Sequence, residues 1–174
     1  MSLSKSLYNK QLRKQKRQAK AFPDFARVNS ILVLFESDKA EANLEIQKIL
    51  WQLFHEGKSV DAIGYLPKRE SITAKSEHYR IFDKNDFSLL WKPDKAICEQ
   101  LQKRHYDLLI DLTLRPILPL QYIALMADAG FKTGRQTEAP YLYDFMIQLQ
   151  GTEDARYLYE QIRYYLEQIK TQDI

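Results

Sequence analysis

The sequence predicts an α/β fold: a Rossmann-like three-layer sandwich around a mostly parallel sheet of four to six strands, preceded by a basic N-terminal helical arm. Three observations carry this. Residues 106–135 (YDLLIDLTLRPILPLQYIALMADAGFKTGR) read as strand, crossover helix, strand, a unit that places its two strands parallel. Residues 30–35 (SILVLF) form an unbroken apolar run, as in strands covered on both faces. A helical period over 39–56 then leads to a further strand at 60–66 (VDAIGYL), which begins a second unit of the same kind.

At 174 residues, 45% hydrophobic and 12% aromatic, the chain bounds one domain with an arm and has enough apolar material for a sizeable core. No apolar run approaches the ~18 residues of a membrane span. The opening residues carry no apolar signal core, and a lone Cys98 excludes an internal disulfide, so a cytoplasmic location is expected. The net charge of +3 is unevenly placed. Residues 1–20 hold seven cations (Lys5, Lys10, Arg13, Lys14, Lys16, Arg17, Lys20) and no acid, which leaves 19 cations against 23 acids beyond them. The basic character belongs to an arm, 1–22, and the domain, 23–174, is mildly acidic.

Residues 4–20 are rich in helix formers with sparse apolar positions, which suggests a helix polar nearly all round. It is a solvated arm, a segment packed on a partner subunit, or an electrostatic contact for RNA, the ribosome or an anionic membrane surface, with Lys10, Arg13, Lys14, Lys16, Arg17 and Lys20 as the contacting groups. Phe22 and Phe25 flank Pro23 and anchor the arm to the domain. After the first strand, Ser37 or Asp38 stands in N-cap position. Ala42, Ile46, Ile49, Leu50 and Leu53 then make one apolar helix face, closed by Gly57.

Residues 67–77 read as a polar loop and 79–82 as a third strand, while 87–91 (FSLLW) fits a short strand or a helical turn equally. Pro93 fits the first position of a helix carrying Ile97 and Leu101. In the organising unit, Gly130 would close the crossover helix over 120–129. An edge strand is expected within 141–149, and a last helix begins near Thr152 as N-cap, with the stripe Ala155, Leu158, Ile162, Tyr165, Leu166 and Ile169. Tyr157, Tyr159 and Tyr164 fall off that stripe, where they cover the sheet edge or offer a homodimer surface.

Ligands of open parallel sheets bind beyond the carboxyl ends of the strands. The residues placed there include Lys68, Arg69, Thr113, Arg115 and Arg135, whose cations would converge on an anion or else pair with Glu36 and Asp38. Asp111 sits inside an apolar strand, so it is either a structural hydrogen-bonding group or a perturbed acid lining the crevice. Asp38 and Asp111 are the candidate catalytic acids. The loop after the first strand (ESDKAE) lacks glycine, which argues against a dinucleotide cofactor, and His55, His78 and His105 share no ligand spacing. Neither a cofactor nor a metal is expected.

The segment YDLLIDL…AGFKTGR, with SILVLFESD and VDAIGYL before it, resembles the N-terminal Rossmann-like half of the heptosyltransferases, the family 9 glycosyltransferases. The resemblance covers roughly residues 30–135 and implies a glycosyltransferase-like core. It places Asp38 near that family's acidic base, with Ser37 where the family has glycine. Those enzymes hold the nucleotide sugar mainly on a second domain, for which 174 residues leave no room. The whole chain, with its basic arm and YEQIRYYLEQ helix, also resembles small uncharacterised proteins of Bacteroidota. The sequence therefore supports a non-catalytic binding module first and a small anionic-ligand binder or glycosyltransferase-like enzyme second.

Overall fold

In the computed structural model, residues 3–14, 20–37, 43–67, 78–138, 141–151 and 153–168 are described. Six strands form one sheet: β1 (Ser30–Glu36), β2 (Ser59–Tyr65), β3 (Tyr79–Phe82), β4 (Tyr106–Asp111), β5 (Ala129–Arg135) and β6 (Phe145–Ile147). Their order is β3-β2-β1-β4-β5-β6, and every neighbouring pair is parallel. The helices are α1 (Leu3–Arg13), α2 (Leu44–His55), α3 (Lys95–Lys103), α4 (Leu118–Met126) and α5 (Ala155–Gln168). No helix among the described residues is long and apolar enough to cross a membrane.

Each strand feeds two cores because successive side chains point to opposite faces. Ile31, Val33, Phe35, Leu108, Ile110 and Phe131 pack beneath α2 and α5. Leu32, Leu34 and Leu109 pack on the other side with Ile97 of α3, Ile123 of α4, and Tyr8 and Leu12 of α1. The register of the two central strands is held where they begin. The Asp107 carboxylate accepts from Asn29 N (2.8 Å) and Ser30 N (2.9 Å), while Ser30 Oγ accepts from Asp107 N (2.9 Å). Those hydrogen bonds hold the Asp107 carboxyl below its usual value, as expected when donors favour the charged form.

The local signals place several boundaries differently from the sequence expectation. The N-cap of α2 is Asn43, whose side chain accepts from Ile46 N, and Asp38 lies outside the described residues. Residues 87–91 are neither strand nor helix: an isolated bridge joins Phe87 to Pro93, with Trp91 at φ 63°. Asp94, not Pro93, begins α3, because its carboxylate caps Ile97 N at 2.8 Å. Pro119 falls in the first turn of α4, where no N–H is needed, and Ala127 rather than Gly130 ends that helix. Gly130 instead belongs to β5, passing 3.0 Å from the Asp107 carbonyl at its would-be Cβ. In α5 the cap is Asp154 bonding Tyr157 N at 2.8 Å, and Thr152 lies outside the described residues. Tyr159 is buried and Tyr165 exposed, the reverse of the expected stripe.

The N-terminal segment is not a freely solvated arm. Tyr8 is 2% and Leu12 4% exposed, and the Tyr8 ring meets Tyr122 of α4 edge-on at 5.1 Å. Phe22 rests against Phe131 (5.0 Å) and Phe145 (5.3 Å), the aromatic anchor expected for this stretch. Arg163 of α5 lies over the Phe25 ring at 5.1 Å and bonds Glu56 at 2.5 Å, which ties α5 to the end of α2.

Gly64 of β2 has no room for a side chain, since a Cβ there would lie 2.6 Å from the Phe35 ring and 2.9 Å from Ile81 Cδ1. Phe35 is fully buried and cannot swing aside. Gly64→Ala is expected to destabilise the fold by about 1–3 kcal/mol, the usual cost of overpacking. A lowered urea midpoint with unchanged slope checks it.

Candidate functional site

Strand order reverses between β1 and β4, so the carboxyl ends there are where a ligand of this architecture is sought. Two cavities open at that end of the sheet, one on each face. The first, about 340 Å³, is lined by Glu36, Ser37, Asn43, Leu66, Pro67 and Leu114 among others, on the α2 and α5 side. The second, about 770 Å³, lies beyond β4 and β5 between α1 and α4, and is lined by Lys5, Tyr8, Asn9, Pro116, Leu118, Gln121, Arg135, Gln136, Thr137 and Glu138.

The expected convergence of cations does not occur among the described residues. Arg115 forks onto Glu36, with Nε donating at 2.9 Å and Nη2 to the second carboxylate oxygen. Arg135 is on the other face, in the larger cavity. Lys68 and Arg69 lie outside the described residues, as do Asp38, Lys16 and Arg17. The pairing is physically unsurprising, because a guanidinium and a carboxylate at adjacent strand ends match in geometry as well as charge.

Asp111 is 1% exposed. It accepts a hydrogen bond from the Tyr143 hydroxyl and another from Thr113 N at 2.9 Å. Burial pushes its carboxyl above the ordinary value, against the pull of those donors, and burial together with Asp111 pushes the Tyr143 hydroxyl up as well. Thr113 is buried, and its backbone and side chain both favour the charged form of Asp111. Gly134 makes the pair possible: a Cβ there would come within 3.1 Å of Tyr143 Cζ and 3.2 Å of Asp111 Cβ.

Three participants were not singled out from the sequence. Tyr143 belongs to an alternating stretch, and its role depends on a strand pairing visible only in three dimensions. Lys132 is buried on the α4 side of β5, with Nζ donating to the carbonyls of Ala124 (2.7 Å) and Leu125 (3.5 Å) at the α4 C-terminus. Burial, aided by Lys20, lowers its amine to about 8. A lysine in an inward position of an apolar strand was the available signal. The third is Tyr8, whose buried hydroxyl has no hydrogen-bond partner among the described residues.

Of the arm cations, Lys10, Arg13 and Lys14 are exposed and line a shallow depression of about 340 Å³ with Ser6 and Asn9. Lys20 is engaged inward instead, donating to the Ala129 carbonyl (3.2 Å) beside Asp144 (3.3 Å). Among the described residues no cluster of three or more His, Cys, Asp or Glu side chains could hold a metal ion.

Fold and site together define a Rossmann-type, all-parallel α/β protein with a helix docked across one end of its sheet. The chain belongs to a family of unknown function, DUF6913, whose model matches residues 2–169 and so includes α1 as well as the sheet. No curated protein and no solved structure matches the chain.

The raised Asp111 carboxyl has a definite consequence for stability. A group with a raised folded-state value favours folding fully below its unfolded value, near 3.8, and that contribution is lost as pH rises through the folded value. Asparagine keeps an acceptor for Thr113 N and offers a donor to the Tyr143 oxygen, without a charge to bury. Asp111→Asn is therefore expected to gain stability relative to the parent as pH rises from about 4. Asp111→Ala strands both partners and is expected to cost about 1–3 kcal/mol per stranded group. Urea midpoints at stepped pH distinguish the two.

Proposed function

We propose that the protein is a non-catalytic binding module that presents α1 to an anionic polymer, RNA in particular. The observation that carries this reading is the placement of Lys10, Arg13 and Lys14 around one surface depression, while Tyr8 and Leu12 on the opposite side anchor the helix to the domain. A helix held this way displays a rigid set of charges, so less side-chain and backbone freedom is lost on contact than with a floppy tail. Phosphate neutralisation needs charge and position rather than an apolar face.

A membrane surface is the weaker partner for this geometry. Interfacial helices bury a broad apolar face in the bilayer. Here Tyr8 and Leu12 are already covered by the domain, and only Leu3 and Leu7 remain exposed along α1. A glycosyltransferase-like activity has less support among the described residues, since Asp111 is buried and Arg115 is paired with Glu36.

Binding of a labelled single-stranded RNA oligonucleotide to the full chain tests the reading. Three contacted phosphates would give a log–log salt slope of about −2. The Lys10→Glu/Arg13→Glu/Lys14→Glu variant, which leaves Tyr8 and Leu12 in place, is expected to bind at least about tenfold more weakly at low salt. Unchanged affinity in that variant, with circular dichroism matching the parent, would overturn the proposal.

A further inference from the structure

We propose that the outward face of α5 is a self-association surface, on which two copies of this chain pair through antiparallel α5 helices about a two-fold axis. Leu158, Ile162 and Leu166 of this helix are buried in the core shared with α2. At 3.6 residues per turn, the opposite line carries Tyr157, Glu160, Tyr164 and Glu167, all exposed. Tyr157 and Tyr164, 41% and 56% exposed, stand seven residues apart, the repeat of a helix-packing seam. The Tyr164 ring is braced before any contact: it meets Tyr165 edge-on at 5.4 Å, and Tyr165 meets Phe145 of β6 at 5.5 Å. Tyrosines held this way give broad contact area for little lost side-chain freedom.

The charges select a second copy as the partner. Arg156, Glu160, Arg163 and Glu167 run along one flank of the seam, with Arg156 donating to Glu160 and Arg163 to Glu167, each at 2.6 Å. Read backwards, this order of arginine, glutamate, arginine and glutamate is its own complement. An antiparallel copy, with the axis crossing near Gln161 and Ile162, therefore sets Arg156 opposite Glu167 of the second copy and Glu160 opposite its Arg163. A parallel copy sets like charges together. In each pair on the helix the arginine Nε bonds Oε1 of the glutamate, and a carboxylate has further acceptor capacity for a guanidinium across the axis. Exposed ion pairs add little affinity, so these fix the orientation while the tyrosines supply the contact.

The inference does not rest on RNA binding. Helix α5 belongs to the layer with α2, whereas Tyr8 and Leu12 of α1 pack on the opposite side of the sheet, so the cationic depression stays open in the pair. A seam of 14 residues is roughly 21 Å long, which places the association at the small, reversible end of protein interfaces.

Sedimentation equilibrium of the full chain, from micromolar to near-millimolar concentration, tests the surface. The weight-average mass is expected to rise from 20.6 kDa towards twice that value. Tyr164→Lys, Glu167→Arg and Arg156→Glu are each expected to weaken association by about tenfold or more. The two charge variants together restore every opposed pair, so their equimolar mixture is expected to associate within about threefold of the parent. The Lys10→Glu/Arg13→Glu/Lys14→Glu variant is expected to associate as the parent does, which separates this surface from the outer face of α1. Four outcomes would overturn the assignment. They are a parent that keeps the mass of one chain throughout, association unchanged by Tyr164→Lys and both charge variants, a mixture that stays dissociated although each variant matches the parent in circular dichroism and melting temperature, and association lost in the α1 variant.

Discussion

Pairing β1 and β4 side by side, parallel and covered on both faces, is the constraint from which the rest of the molecule follows. Neither strand can leave a polar group to water, so every such group inside must find its partner within the protein. Ser30 and Asp107 meet that demand at the start of the pair by exchanging bonds. Asp111 meets it at the far end through Tyr143 and Thr113, and Lys132 does so on β5 by closing the α4 carbonyls. Among the described residues, the buried polar side chains of the sheet are therefore held by partners within the protein. Burial is the largest influence on the ionisation of Asp111 and Lys132.

The same constraint explains the docking of α1. The face of the sheet carrying Leu32, Leu34 and Leu109 is covered by α3 and α4, and α1 completes that layer where it meets α4. Its cover is thin, consisting chiefly of Tyr8 and Leu12 on an otherwise polar helix. A helix with so small an apolar footprint leaves space beneath it, and that space is the larger cavity. Charge on one side of α1 and a polar hollow on the other are thus two results of a single sequence with few apolar positions.

Much of the sheet was legible because a strand buried on both faces writes a continuous apolar run. SILVLF, VDAIGYL and YDLLID each appear within a residue or so of their observed limits. The helices were legible as elements but not at their ends. Helix α4 is apolar nearly all round, so periodicity could not set its limits, and Gly130 looked like a stop although it lies in a strand. The start of α2 depends on one asparagine side chain reaching Ile46 N, a local bond that competes with equally plausible caps at Ser37 and Asp38. The candidate site was the least legible part. Arg115 and Arg135 stand at neighbouring strand ends in the sequence logic, yet one meets a carboxylate and the other a cavity on the opposite face. The inward role of Tyr8 rests on Tyr122, a residue so far along the chain that no local pattern could announce it.

That distance bears on how the protein comes to be assembled. A chain made from its N-terminal end completes α1 well before α4 or the end of β5 exists. An isolated helix of this length is marginal in water, so Tyr8 and Leu12 have no lasting apolar company until Tyr122 has been synthesised. The first helix of the chain thus gains its aromatic partner on α4 only after more than a hundred further residues have been made.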